Sequence, residues 1–215
     1  MTEKLRITEI FYSLQGEART VGKPTVFVRL TGCPLRCGYC DTAYAFTGGM
    51  LYAIDEILVT VASWSPQYVC VTGGEPLAQK ACWPLLSALC DKGYEVSLET
   101  SGAIDTTGVD ARVSKVLDIK TPGSGEMHRN LYGNLERLLP NDQIKFVVAN
   151  EADYDWARAR MAEFALAEKV TEVLFSPVHD QLEPRLLAEW ILRDKLKVRL
   201  QIQLHKYLWA DAAGR

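Results

Sequence analysis

A chain of 215 residues, 48% hydrophobic and 24% charged, can bury one large core or two small ones, which excludes a disordered or fibrous protein. With 24 Lys and Arg against 27 Asp and Glu the net charge is −3, a poor balance for tracking a nucleic-acid backbone. No apolar run approaches the roughly 20 residues of a membrane helix. The opening MTEKLRITEIFY is mixed-charge and strand-like rather than a signal peptide, so the cytoplasm is the expected compartment.

After that opening strand, PTVFVRLTG (24–32) reads as a second strand running into Cys33. AIDEILVTVASW reads as a helix and YVCVTGG as a strand. A longer helix is expected over roughly 77–92, stopped by Gly93. YEVSLET, KVLDIK and DQIKFVVAN are further strands. Asn150 caps the next helix, and Glu151, Asp153 and Asp155 in its first turn suit the positive end of the helix dipole. TEVLFSP is a strand, EPRLLAEWILRDK a helix with Pro near its start, and VRLQIQLH the last strand.

Strands alternating with helices of this length imply βα units around a parallel sheet. About six units follow the strand that leads to Cys33, short of the eight of a closed barrel. The expected fold is therefore α/β, an incomplete (open) βα barrel, with a doubly wound open sheet as the alternative. One domain over 1–215 is the economical organisation, since no linker or low-complexity segment interrupts the pattern.

Polar residues collect where the strands end. Thr72, Gly73, Gly74 and Glu75 follow one strand, and Glu99, Thr100 and Ser101 end the next. Asp118 and Lys120 end a third, Ser176 a fourth and His205 the last. Any one of them alone is an ordinary cap or turn residue. Together they mark the C-terminal face, where βα folds keep their chemistry.

Six cysteines divide into two groups. Cys70 lies in an apolar strand and Cys82 and Cys90 in a helix, where a thiol serves as a small hydrophobe. Cys33, Cys37 and Cys40 instead form C-x3-C-x2-C in a loop punctuated by Gly and Pro. Structural zinc takes four ligands, and His128, His179 and His205 all lie far along the chain. A redox dithiol needs only two thiols, and an electron-transfer cluster takes four. Three thiolates on a four-iron cluster leave one iron open to a substrate or cofactor.

This spacing resembles that of the radical S-adenosylmethionine (SAM) enzymes. The resemblance implies a [4Fe-4S] cluster on Cys33, Cys37 and Cys40, whose open iron chelates SAM and whose electron cleaves it to a 5′-deoxyadenosyl radical. Thr72-Gly73-Gly74-Glu75-Pro76 matches the segment that meets the methionine amino group, with Gly74 and Glu75 as SAM contacts. Glycine there allows close approach to a ligand, and the Glu carboxylate can accept from an ammonium. Tyr39 matches a position whose backbone lies near the adenine, and Ser101, Lys120 and Ser176 are SAM candidates by their strand-end positions.

LQGE, RLTGC, CDT, TGGEP, ETSG, DIKTPGSG and QLHKY, spread from residue 7 to about residue 209, are similar to the 7-carboxy-7-deazaguanine synthases of the queuosine pathway. That family is a group of lyases that convert 6-carboxy-5,6,7,8-tetrahydropterin to 7-carboxy-7-deazaguanine with loss of ammonia. The resemblance implies an N-terminal substrate-binding segment and a pterin site of Leu14, Gln15, Gly16, Glu17, Arg29, Thr72 and His205. It also implies a magnesium ion on Thr42, with Asp41 as the alternative ligand. A homodimer and an external electron donor such as a flavodoxin are the implied partners, with no nucleic acid and no membrane. Three departures stand out: Ala18 occupies a place where relatives often carry glycine, the tail 210–215 receives no substrate contact, and the DIKTPGSG stretch around Lys120 differs in form from that of some relatives. The rival readings are a glycyl-radical-activating enzyme acting on a partner protein and a non-catalytic metal-binding module.

Overall fold

The computed structural model describes residues 3–210 together with Ala212 and Gly214. Met1, Thr2, Asp211, Ala213 and Arg215, which the expected domain and tail include, lie outside the described residues. The strands are β1 (Lys4–Leu14), β2 (Pro24–Leu30), β3 (Met50–Ala53), β4 (Tyr68–Gly73), β5 (Glu95–Thr100), β6 (Ser114–Asp118), β7 (Gln143–Val148), β8 (Glu172–Pro177) and β9 (Arg199–Leu200). The helices are α1 (Ile54–Ala62), α2 (Cys82–Asp91), α3 (Glu151–Glu163), α4 (Leu166–Lys169), α5 (Pro184–Arg193) and α6 (Leu204–Trp209).

Among the described residues the strands form one sheet in the order β3-β1-β2-β4-β5-β6-β7-β8-β9. From β2 through β4 to β9 every ladder is parallel, while β1 runs antiparallel to both β2 and β3. No ladder joins β9 back to β3, so the βα barrel is open, as expected.

Strand alternation explains where the core and the site lie. One set of side chains packs under the helices. Val28, Val71 and Leu98 meet Ile57 of α1 and Leu85 and Leu89 of α2, while Phe146 and Phe175 meet Tyr154 of α3 and Trp190 of α5. The alternate set, including Phe27, Arg29, Thr72, Glu99 and Lys145, faces a cavity on the concave side.

Three local expectations are corrected. The helix expected over 77–92 begins only at Cys82, after a single 3-10 turn at Pro76–Ala78. Gln79 between them is extended, and its side-chain amide bonds the Arg6 N–H and carbonyl at 2.8 and 2.9 Å and the Thr31 carbonyl at 3.0 Å. Those tertiary bonds outweigh a weak local helix preference. Gly93 does end the segment, at φ +85°.

Second, the β5–β6 and β6–β7 crossovers carry loops and 3-10 turns in place of α-helices. Buried Asn134 satisfies this irregular backbone. It accepts from the Thr106 N–H and hydroxyl and donates to the Gly102 and Ile104 carbonyls.

Third, the last strand is only Arg199–Leu200, and His205 sits in α6, not at a strand end. The chain leaves the sheet at Gln201, whose amide clamps both backbone groups of Ala18 at 2.7 and 3.0 Å. Leu204 N–H then bonds the Gly16 carbonyl at 3.0 Å, drawing α6 over the cavity.

Candidate active site

A cavity of about 540 Å³ opens at the C-terminal ends of the parallel strands. The sulfur-bearing loop forms one wall. Its root is fixed by β4: Gly74 N–H bonds the Leu30 carbonyl at 3.1 Å and Glu75 N–H bonds the Gly32 carbonyl at 2.8 Å. A Cβ on Gly73 would lie 2.2 Å from the Leu30 carbonyl oxygen, and one on Gly74 would lie 2.2 Å from that of Gly32. These glycines therefore admit the protein's own backbone, in addition to any ligand that approaches them. Gly74 still lines the cavity.

Cys33, Cys37 and Cys40 are half-buried and share that wall. Burial pushes all three thiols above their ordinary value. Among the described residues no three His, Cys, Asp or Glu side chains close on one ion-sized point. One nearby cation is Lys120, paired with Asp118 at 2.9 Å. Burial pulls this ammonium down, but Asp118, Tyr39 and Cys37 outweigh it and the net direction is upward. Lys120 therefore stays charged beside the cysteines. Three soft donors on one wall, a charged ammonium and open space in front are what a cluster with one free iron and a zwitterionic ligand require.

Tyr39, Ser101 and Lys120 line the cavity, whereas Glu75 and Ser176 do not. Glu75 is fully buried and accepts from Leu77 N–H at 3.0 Å, Thr100 Oγ1 at 2.9 Å, Ser101 N–H at 2.7 Å and Ser101 Oγ at 2.5 Å. A carboxylate so fully engaged holds Thr100 and Ser101 in place from behind the wall; direct acceptance from an ammonium is not its geometry. Ser176 is buried, paired in register with Val147, which lines the cavity, and its hydroxyl has no hydrogen-bond partner among the described residues.

The cavity is also lined by Leu14, Gln15, Gly16, Glu17, Arg29, Thr72 and His205. Gln15 Nε2 and Thr72 Oγ1 both donate to Glu99, at 3.4 and 2.9 Å. Arg29 Nε bonds Glu9 at 2.7 Å, and its guanidinium lies 5.7 Å from the Phe11 ring and 5.8 Å from Tyr44. Glu17 is ion-paired with Lys145 and accepts from Gln203 at 2.7 Å. The His205 ring packs on Gly16 so closely that a Cβ there would meet Nδ1 at 2.1 Å. Ala18 adopts φ +61°, the left-handed region that favours glycine, and Gln201 holds it there.

At the rim, Thr42 Oγ1 donates to Asp41 at 2.7 Å, and Asp41 also accepts from Gln203 at 3.1 Å and lies 4.0 Å from His205 Nε2. The hydroxyl oxygen of Thr42 keeps its acceptor capacity while donating.

Glu99, Lys145, Glu9 and Gln203 complete these contacts; Glu99 was read as one of the polar residues at the strand ends, but none of the four was given a ligand. Lys145 carried a readable signal, a lone charge within the largely apolar strand QIKFVV, and Glu99 carried the strand-end position already noted. Glu9 carried none, because long-range pairing alone recruits it, and Gln203 lay in the QLHKY stretch while its partners Glu17 and Asp41 lie far away in sequence.

Residues 27–121 match the model of the radical SAM superfamily, a span that includes the three cysteines and Lys120. A 7-carboxy-7-deazaguanine synthase from Chlorobaculum tepidum is 50% identical over 98% of this chain and 97% of its own length. One from Koribacter versatilis is 42% identical over 95% and 97%. The crystal structure of QueE from Escherichia coli covers 94% of this chain, is covered over 95% of its own, and superposes with a TM-score of 0.78 at 24% identity, which supports the fold. No helix among the described residues is long and apolar enough to cross a membrane. By its identity to relatives over nearly their whole length, the chain belongs to the 7-carboxy-7-deazaguanine synthase family of the radical SAM superfamily.

Proposed function

We propose that this chain is a lyase that contracts the ring of 6-carboxy-5,6,7,8-tetrahydropterin to 7-carboxy-7-deazaguanine with loss of ammonia, in 7-deazapurine and queuosine biosynthesis. The observation that carries the reading is 50% identity over 98% of this chain and 97% of a synthase of that name, joined to one cavity lined by three cysteines. When bound, the [4Fe-4S] cluster and SAM supply reductive cleavage and a carbon-centred radical.

The chain's own residues bind, orient and shield. Cys33, Cys37 and Cys40 hold the cluster. Lys120 and Ser101, with the backbone at Tyr39 and Gly74, take SAM, while Glu75 fixes Ser101 from behind. Ser176, buried beside the cavity-lining Val147, supports the SAM site from the floor of the sheet. The Gln15–Glu99–Thr72 set offers donors and acceptors to the polar edge of the pterin. Arg29 takes the carboxylate by its fork, steadied by Glu9 and the two rings. The backbone of Leu14, Gly16 and Glu17 lines the ring, and His205 covers it from α6.

Thr42 is the protein ligand for magnesium, with Asp41 beside it. Magnesium suits so sparse a site because it keeps waters and takes donors from its substrate. The chain works as one domain over 1–215, as a homodimer in the cytoplasm, and receives electrons from a donor such as a flavodoxin.

The test is anaerobic incubation of cluster-loaded protein with the tetrahydropterin, SAM, a reductant and magnesium. The reading predicts 7-carboxy-7-deazaguanine and ammonia in equal amounts. Absence of that product from iron-replete protein that still cleaves SAM overturns it.

A further inference from the structure

Cys37 is flanked by two long-range backbone bonds. On its N-terminal side Arg36 N–H donates to the Glu126 carboxylate at 2.7 Å, across 90 residues of chain. On its C-terminal side Gly38 N–H donates to the Ser124 carbonyl at 3.0 Å. Both acceptors belong to one short segment, 121–126, after β6.

That segment is itself fixed. Ser124 is buried; its hydroxyl donates to the Thr121 carbonyl at 2.6 Å and accepts from Glu126 N–H at 3.0 Å. Thr121 Oγ1 donates to the Val147 carbonyl at 2.9 Å. The buried carboxylate of Asp153 receives Gly123 N–H at 2.7 Å and Ala149 N–H at 3.0 Å. Gly123 lies so close that a Cβ there would meet Asp153 Oδ2 at 2.4 Å. Support thus runs from α3 through Gly123 and Ser124 to Glu126, and from there to both sides of Cys37. Cys33 has its own support, since its root is held by Gly74 and Glu75.

We propose that segment 121–126 is a clamp that sets the position of the Cys37 sulfur for cluster binding, with Glu126 as its positioning residue. The proposal rests on the radical SAM reading of the three cysteines. Glu126 acts through the Arg36 amide, as a hydrogen-bond acceptor and not as a ligand. A carboxylate bond to a loop amide resists local opening of the loop that carries the half-buried Cys37, and such opening would release iron held there.

The test uses full-length protein reconstituted anaerobically, with iron per chain, iron loss to a chelator, and the paramagnetic resonance of the reduced cluster before and after SAM as readouts. Parent protein that binds no iron defeats the cluster reading itself, independently of the clamp. Given loaded parent, Glu126→Ala is expected to release iron about ten-fold faster, the scale of one lost charge-assisted bond, and to broaden the resonance seen with SAM. Glu126→Gln keeps an acceptor oxygen and is expected to restore most of the retention.

Retention and resonance unchanged in Glu126→Ala overturn the proposal. So does a Glu126→Gln protein as leaky as Glu126→Ala, because charge rather than the bond would then be responsible. Should Glu126→Ala melt early as apoprotein, Gly123→Ala tests the same clamp from its Asp153 end. Faster iron loss there supports the clamp, and parent-like loss overturns it.

Discussion

Replacing Gly74 by alanine places a Cβ 2.2 Å from the Gly32 carbonyl oxygen, 2.6 Å from its carbon and 3.0 Å from Cys33 Cβ. Ordinary contact begins near 3.4 Å, so the Gly32 carbonyl must retreat by about 1 Å. The two nearest obstacles are backbone atoms of Gly32, and no rotamer relieves them. The retreat breaks the 2.8 Å bond from Glu75 N–H and displaces the residue next to Cys33. Overpacking costs about 1–3 kcal/mol and the lost bond about 1 kcal/mol, so a total near 3 kcal/mol is expected. For a chain of 215 residues that lowers the melting temperature by about 6–12 °C. The functional effect should be larger than the thermal one, because the displaced atoms carry a cluster ligand. Anaerobic reconstitution followed by iron analysis and SAM cleavage without pterin measures it directly. A Gly74→Ala protein with parental melting, iron content and SAM cleavage would refute the reasoning about the loop root.

Alanine at Cys33, Cys37 or Cys40 should abolish reductive SAM cleavage and lower bound iron, whereas Cys82→Ala, fully buried in α2, should only destabilise by about 1–2 kcal/mol in a denaturant titration. Thr42→Ala should slow product formation and flatten its magnesium dependence while SAM binding, read by equilibrium dialysis, is kept; an unchanged magnesium titration removes Thr42 from the site. Asp194 is held down to about 2 by hydrogen bonds from Arg193 and Tyr154. Its contribution to stability is therefore fully present above its unfolded value near 3.9 and is lost as pH falls toward about 2. Asp194→Asn should shallow that acid limb in thermal melts of the apoprotein, and an identical limb would count against the pairing.

What could be read in the sequence was what local pattern encodes. β2, β4 and β5 to β8 follow from apolar runs bounded by turn residues, and Asn150 does cap α3, accepting from Asp153 N–H at 3.0 Å. The three cysteines stood out because packing gives no reason for such spacing in a Gly/Pro loop. What could not be read depends on partners far away in sequence. Gln79 halts a helix through Arg6 and Thr31, and Gln201 takes the chain off the sheet through Ala18, so the strand expected to carry His205 became α6. Glu75 illustrates the same limit at the site: its type and place in TGGEP were legible, but the four donors that turn it away from the cavity come from three later residues. Arg29 was legible as a charge in a strand, while Glu9 and Tyr44, which aim it, were not.

The central claim is a ring contraction driven by radical chemistry in which no net electrons are consumed. Loss of ammonia with rearrangement leaves the oxidation level unchanged, so the hydrogen taken from the pterin can be returned and SAM regenerated. The decisive measurement uses 6-carboxy-5,6,7,8-tetrahydropterin deuterated at the carbon that loses hydrogen, with mass analysis of SAM, 5′-deoxyadenosine and the deazaguanine product. The account predicts deuterium in recovered SAM and product in large excess over free deoxyadenosine. One deoxyadenosine per product with no label in SAM would contradict it.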